Sequence, residues 1–317
     1  MMSFKTLIKA WDNFFFTPQP VDNIALFRIF WCLMLLVNAL IEVENVKVFY
    51  GPDAIISLET VQHQFPYPHL NIFHYFRDRI EVVYMTFAIY IMSLLFALVG
   101  LYTQYALAVA FVCLTSLHQR NIWLLSSSEL VMRIVTLLLI FSPCAHAFSI
   151  DVLKNKKNPV WRRRVDFSPW VLRLLQIQLS IIYLWTVWHK LKGDNWVDGS
   201  AVYYATRLDS MKNIPLPYIL DSVLFLKLAT WGTLVIEFLL GTLLWFREFR
   251  KPLIICGILF HLFIEMMMTI PFFEISMILL LLLFIPLPDV QAWVKKFQHI
   301  ISPMSRRLEW IQKKDFQ

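Results

Sequence analysis

Long apolar runs recur along this chain with connections too short to hold a soluble domain, and that recurrence limits the fold more than any other feature. A bilayer-crossing helix needs about 20 mostly apolar residues. Runs that approach this length occupy 24–41, 82–101, 105–117, 130–148, 168–190, 223–246, 253–268 and 272–285. The third is shorter than a crossing normally requires. Ser168-Pro169 reads as a serine cap with proline in the first turn of the fifth. The expectation is an all-α polytopic membrane bundle of about eight transmembrane helices. Composition agrees, since 58% of the 317 residues are hydrophobic and 16% charged, against about 25% charged in a soluble domain.

Three segments follow from that pattern. Residues 1–23 place Lys5 and Lys9 among Phe4, Leu7, Ile8, Trp11, Phe14 and Phe15, which suits a helix lying in the interface. Residues 24–290 form the membrane domain, and 291–317 a basic tail. Two polar connections stand out, 42–81 with turn signals at Gly51-Pro52-Asp53 and 65–69, and 191–220 closing with Pro215-Leu216-Pro217. No basic tip leads into a short apolar run and cleavage site, so the first span is expected to serve as its own insertion signal.

The net charge of +7 is unevenly distributed. With eight spans, seventeen Lys and Arg fall in the loops and termini of one side and eight on the other. Excess positive charge marks the cytoplasmic side, so both termini are expected there. Such charge suits anionic headgroups and requires no nucleic acid. Cys32, Cys113, Cys144 and Cys256 lie in or against apolar runs, and neither they nor the eight histidines form a metal or disulfide pattern. No metal site is expected. Seven glycines and no phosphate loop or nucleophile elbow argue against ATP hydrolysis and serine-hydrolase chemistry.

The stretch Tyr183 to Gly199, YLWTVWHKLKGDNWVDG, is where chemistry is expected, because an apolar helix there delivers its first charges among aromatic rings. Lys190 has two readings. It is either an anchor whose ammonium snorkels to the headgroups, or a desolvated amine able to act as a base near neutral pH. Trp188, His189, Asp194, Trp196 and Asp198 fit either environment. Within the spans, Arg28, Arg133, Arg173, Lys227, Glu237, Glu265 and Glu274 are functional suspects, or fasten helices together. His261 and Glu265 share a helix face at i and i+4, which suggests a histidine satisfied by that glutamate.

Ala25 to Phe30, Arg120-Asn121, Tyr183 to Gly199 and Phe260-His261-Leu262 resemble the HTTM family, which includes the membrane domain of vitamin K-dependent gamma-glutamyl carboxylase. The resemblance runs over roughly 20–290. It implies an HTTM-like membrane domain in a bacterial inner membrane and a pocket open to the extracytoplasmic side. It implies Lys190 as the base that deprotonates a reduced vitamin K of menaquinol type, with His118 assisting. Trp188, His189, Trp196 and His261 would contact that quinol. The oxidised quinol would then drive removal of a glutamate γ proton and addition of carbon dioxide. With about thirty residues after the last span, the substrate is expected to be small, membrane-bound, or a peptide or protein brought by a partner. The alternative the family allows is a non-catalytic component that binds lipid or a peptide, as in toxin-peptide maturation, with Lys190 as a headgroup anchor.

The charge count makes a prediction about sidedness. In an otherwise cysteine-free protein, Asn158→Cys should react with an impermeant maleimide only from the cytoplasmic face and Ser210→Cys only from the opposite face. Reaction of both from outside would contradict the topology.

Overall fold

The computed structural model describes residues 4–64, 71–76, 79–154, 166–214 and 221–296. The turn at 65–69, most of the basic loop after 154, Pro215 to Pro217 and the tail beyond 296 lie outside the described residues. What is described is helical, with two isolated antiparallel bridges, Gln19 to Phe167 and Lys212 to Met268.

The amphipathic helix α1 (Phe4–Phe16) exposes Phe4, Leu7, Ile8 and Trp11 and buries Phe15. A first group of helices follows: α2 (Asp22–Val43), α3 (Ile80–Val99), α4 (Thr103–Arg120) and α5 (Ser127–Ile140). The second group comprises α6 (Trp170–Lys190), α9 (Val223–Thr242), α10 (Arg247–Met267) and α11 (Phe273–Leu282). Two short helices, α7 (Asp194–Val197) and α8 (Ala201–Ala205), lie between α6 and α9. Helix α11 packs against α2 and α5 as well as α6 and α10, so it joins the two groups. Along α2 the apolar side chains divide by face. Phe27, Trp31 and Leu35 are buried, while Phe30, Leu33, Val37 and Leu40 are exposed, a stripe suited to acyl chains.

Among the described residues four helices are long and apolar enough to cross a membrane by themselves, α2, α3, α6 and α9, the last taken with its 3-10 extension to Trp245. A fifth candidate is α11 joined to α12 (Leu287–Lys296), although the pair bends by 100°. This corrects the expectation of about eight transmembrane helices. The shortfall has local causes. Thr103-Gln104 and His118-Gln119-Arg120 make both ends of α4 polar, and α5 has 14 residues. Arg247, Glu248, Arg250 and Lys251 charge the first turn of α10. Pro286 stops α11 from running on, because proline disfavours helix at the residue before it and clashes with the preceding turn.

Polar groups tie the first group together. Arg28 is fully buried and donates to the carbonyls of Cys144 at 3.0 Å and Phe148 at 2.5 Å, so it is neither snorkelling nor salt-bridged. Asp151 accepts from the amides of Tyr102 and Thr103 and from the Thr103 hydroxyl, satisfying donors at the start of α4 from 48 residues away. Ser149 and the Arg28 guanidinium crowd Gly100, which ends α3 at φ 75°, and a Cβ there would lie 2.3 Å from that of Ser149. Arg120 donates to the carbonyls of Gly51 and Ile56, and Asn121 to that of Phe49, so they hold the 45–64 connection against the bundle.

The serine cap expected at Ser168 is a second correction. Its hydroxyl donates to the Phe15 carbonyl at 3.1 Å and makes no cap bond to α6. The Arg173 guanidinium lies 5.0 Å from the Phe14 ring and donates to the Phe14 carbonyl. Helix α1 competes for the polar groups at the start of α6 and is docked by them. Ser126 and Ser222 do cap, at the starts of α5 and α9.

Candidate functional site

Helices α6, α9, α10 and α11 enclose a cavity of about 460 Å³, bordered also by α8 and by Ser126 and Ser127. Its walls are largely apolar, with Phe260 and Met277 among them. Into it the bundle places six polar or aromatic side chains that carry chemistry: Tyr183, Lys190, Trp196, Glu237, His261 and Glu274. The volume lies in the range of small-molecule pockets, about 300–1,000 Å³.

Lys190 is the last residue of α6, where the helix dipole favours a cation. Its side chain is 19% exposed, with Nζ 2.5 Å from Glu237 Oε1 and 4.6 Å from the centre of the Trp196 ring. Gly241, one turn along α9 from Glu237, allows this approach. A Cβ there would lie 2.9 Å from the Leu184 side chain and 3.3 Å from Tyr183 Cβ. The second oxygen of Glu237, Oε2, is buried without a hydrogen-bond partner.

Three further buried lining residues, from three helices, form a chain. The hydroxyl of Tyr183 on α6 lies 2.7 Å from His261 Nε2 on α10, and His261 Nδ1 meets Glu274 Oε2 on α11. None of the three is more than 3% exposed. The expected pairing of His261 with Glu265 is therefore replaced. Sharing a face of one helix does not decide a partner when a neighbouring helix brings a carboxylate to the ring. Glu265 instead holds the 211–213 segment, its carbonyl accepting from Asn213 Nδ2 at 3.0 Å.

Of the residues singled out in the sequence, the fold brings Lys190, Trp196, His261 and the intramembrane acids Glu237 and Glu274 to this cavity. Trp188 is 58% exposed, with Lys192 Nζ 4.9 Å from its ring centre, and His189 lies 4.7 Å from the Trp185 ring. Neither lines the cavity. His118 is buried on α4 in the other group of helices, its Nδ1 without a hydrogen-bond partner, and is likewise not a lining residue. Asp198 is fully exposed, and hydrogen bonds from the Ser200 hydroxyl and amide hold its carboxyl below the usual range. Tyr183 carries no assigned role in the sequence reading, although it opens the stretch marked there by its aromatic content. Among the described residues no group of three or more His, Cys, Asp or Glu is placed to hold a metal ion.

A profile of the HTTM domain matches residues 16–288, nearly the whole chain. The chain belongs to the HTTM family. That membership, with the apolar helices, makes this an integral membrane protein. Among curated relatives, the HTTM chain is 27% identical over 119 residues to the sporulation-delaying protein SdpB of Bacillus subtilis, covering 35% of this chain and 36% of that protein. It is also 27% identical over 148 residues to the protein YitO of the same organism, covering 44% of each chain. The matches thus span less than half the length of these relatives. No solved structure matches the chain.

The Lys190–Glu237 pair yields a prediction. Removing one partner strands the other in apolar surroundings, at a cost of about 3 kcal/mol for a buried pair, less here because Lys190 is partly exposed. Lys190→Met and Glu237→Leu should each lower thermal stability in detergent, and the double variant should lose less than the sum. Additive losses would show that the two are not coupled.

Proposed function

We propose that this HTTM protein is a membrane enzyme in which Lys190 acts as the base toward a reduced naphthoquinone-type quinol held in the cavity. What carries the reading is one juxtaposition: a largely buried amine, hydrogen-bonded to a buried carboxylate, on the wall of an apolar cavity of about 460 Å³. A flat, lipid-soluble ring suits walls of this kind, and the unpartnered Glu237 Oε2 gives a polar atom for its hydroxyl to meet.

To act as a base the amine must first pass its proton to Glu237, the carboxylate it already contacts. The amine is then neutral and can accept a proton from a ligand hydroxyl. Glu237 both positions Nζ and takes up the displaced proton. Trp196, facing the amine from α7, limits access of water and favours the charged form once the proton has arrived.

A bound reduced quinone would supply, on reaction with oxygen, a base strong enough to remove a glutamyl γ proton, as the likeness to the carboxylase implies. Phe260 and Met277 would hold its ring, and Lys190 with Glu237 would meet its hydroxyl. In this reading the Lys190 end of α6 faces the extracytoplasmic side of an inner membrane, both termini are cytoplasmic, and a membrane-delivered peptide or protein supplies the glutamyl group. His118 would act from the other helix group through the bundle and not by contact.

Mass spectrometry of purified protein incubated with reduced menaquinone and oxygen tests this directly. The wild type should form the quinone epoxide. Lys190→Arg keeps a cation beside Glu237 but stays protonated, and should reduce epoxide formation by roughly 10²-fold or more. Full activity in the arginine variant, or no epoxide from the wild type, would contradict the proposal and leave Lys190 as a headgroup anchor.

A further inference from the structure

Three ionisable side chains on three helices, Tyr183, His261 and Glu274, are buried on the cavity wall and hydrogen-bonded in series. With Glu274 ionised, Oε2 can only accept, so His261 Nδ1 carries the hydrogen between them. A neutral imidazole then has its lone pair on Nε2, and the Tyr183 hydroxyl 2.7 Å away donates to it. The phenol oxygen, its own hydrogen committed to the histidine, is left with lone pairs to offer a ligand. Nucleophiles and bases are commonly activated by a hydroxyl, an imidazole and a carboxylate in this order.

We propose that Tyr183, backed by His261 and Glu274, is a second proton-accepting group of the cavity, serving the ligand hydroxyl that Lys190 does not reach. It rests on the reading of the cavity as a quinol site and specifies the ligand further, as an aromatic ring with two hydroxyls on opposite sides. Lys190 and Tyr183 are seven residues apart on one face of α6, about 10.5 Å along its axis. Helix side chains lean toward the N-terminus, so the longer lysine stem closes part of that separation.

The proton transfer is balanced as follows. The Tyr183 proton moves to His261 Nε2, the ligand O–H breaks, and its proton takes the vacated place on the Tyr183 oxygen. The ligand oxygen keeps the bonding pair. The resulting imidazolium faces Glu274 across its hydrogen bond, and Glu237 on α9 is within electrostatic reach of both His261 and Glu274. Glu265 on α10 is also within reach of Glu274. Tyr183 on α6 completes the titratable groups around the ring. Glu274, in direct contact with the ring, favours the charged form after transfer, and Glu237 adds to this while it is ionised. A tie between helices needs no such charge, and apolar side chains of the same size would serve as well.

The test reads the ionisation of a bound ligand. Menadiol (2-methyl-1,4-naphthohydroquinone), kept reduced with dithionite under anaerobic conditions, is bound to the purified full chain and titrated by its near-ultraviolet absorbance. Tyr183→Phe should still bind menadiol and move its first ionisation to higher pH by roughly one unit or more, a tenfold change. Glu274→Gln, which keeps a hydrogen bond to Nδ1 without the charge, should move it the same way and carries the test if Tyr183→Phe does not fold. Lys190→Met is titrated beside them. If the wild type binds menadiol and Lys190→Met shifts the titration while Tyr183→Phe and Glu274→Gln do not, the Tyr183 proposal falls and the Lys190 reading stands. If the wild type fails to bind menadiol, both fall.

Discussion

Bringing an ammonium and a carboxylate together between two membrane helices is worthwhile only if the helices come close enough for a direct hydrogen bond. Otherwise, each charge loses water and gains nothing comparable. Here Gly241 allows α6 and α9 that approach, and Lys190 and Glu237 meet at 2.5 Å. The site follows from this contact. It fixes the end of α6, brings Nζ under the Trp196 ring, and leaves one glutamate oxygen on a wall with no protein partner. The second chain, from Tyr183 through His261 to Glu274, ties α10 and α11 to α6 around the same space.

In the first group of helices, buried polar side chains brace the frame. Arg28, which reads in the sequence as a suspect charge, donates through its two terminal nitrogens to the carbonyls of Cys144 and Phe148. Arg120 and Asn121 hold the 45–64 connection. Helix α11 packs on α2 and α5, so a firm first group fixes the wall that carries Glu274. Residues carrying the family resemblance therefore divide into two kinds, those that brace the frame and those that line the cavity.

The helices were legible in the sequence because apolar runs broken by proline, glycine and charge leave little choice. Their number as membrane crossings was not. The polar ends of α4 and the charged first turn of α10 separate helix length from apolar length, and Pro286 bends the last pair sharply. Lys190 was legible as the first charge after a long apolar run. Glu237 was visible as an intramembrane acid, yet its partner was not, since the register between α6 and α9 depends on a glycine contact that no local pattern reports. His261 shows the same limit, because its spacing pointed to Glu265 on its own helix and the fold gives it Glu274 from the next. His118 was chosen by resemblance and lies in the other half of the bundle, a separation set by tertiary packing alone.

The central claim is that the space beside Lys190 takes a lipid-soluble aromatic ring. Photo-crosslinking in native membranes with a diazirine-bearing naphthoquinone, followed by peptide mapping, tests it most directly. The account predicts adducts confined to residues within 126–127, 182–206, 229–237 and 260–277, and their loss when excess menadione competes. Adducts on α3 or α4 alone, or labelling that menadione does not reduce, would contradict it.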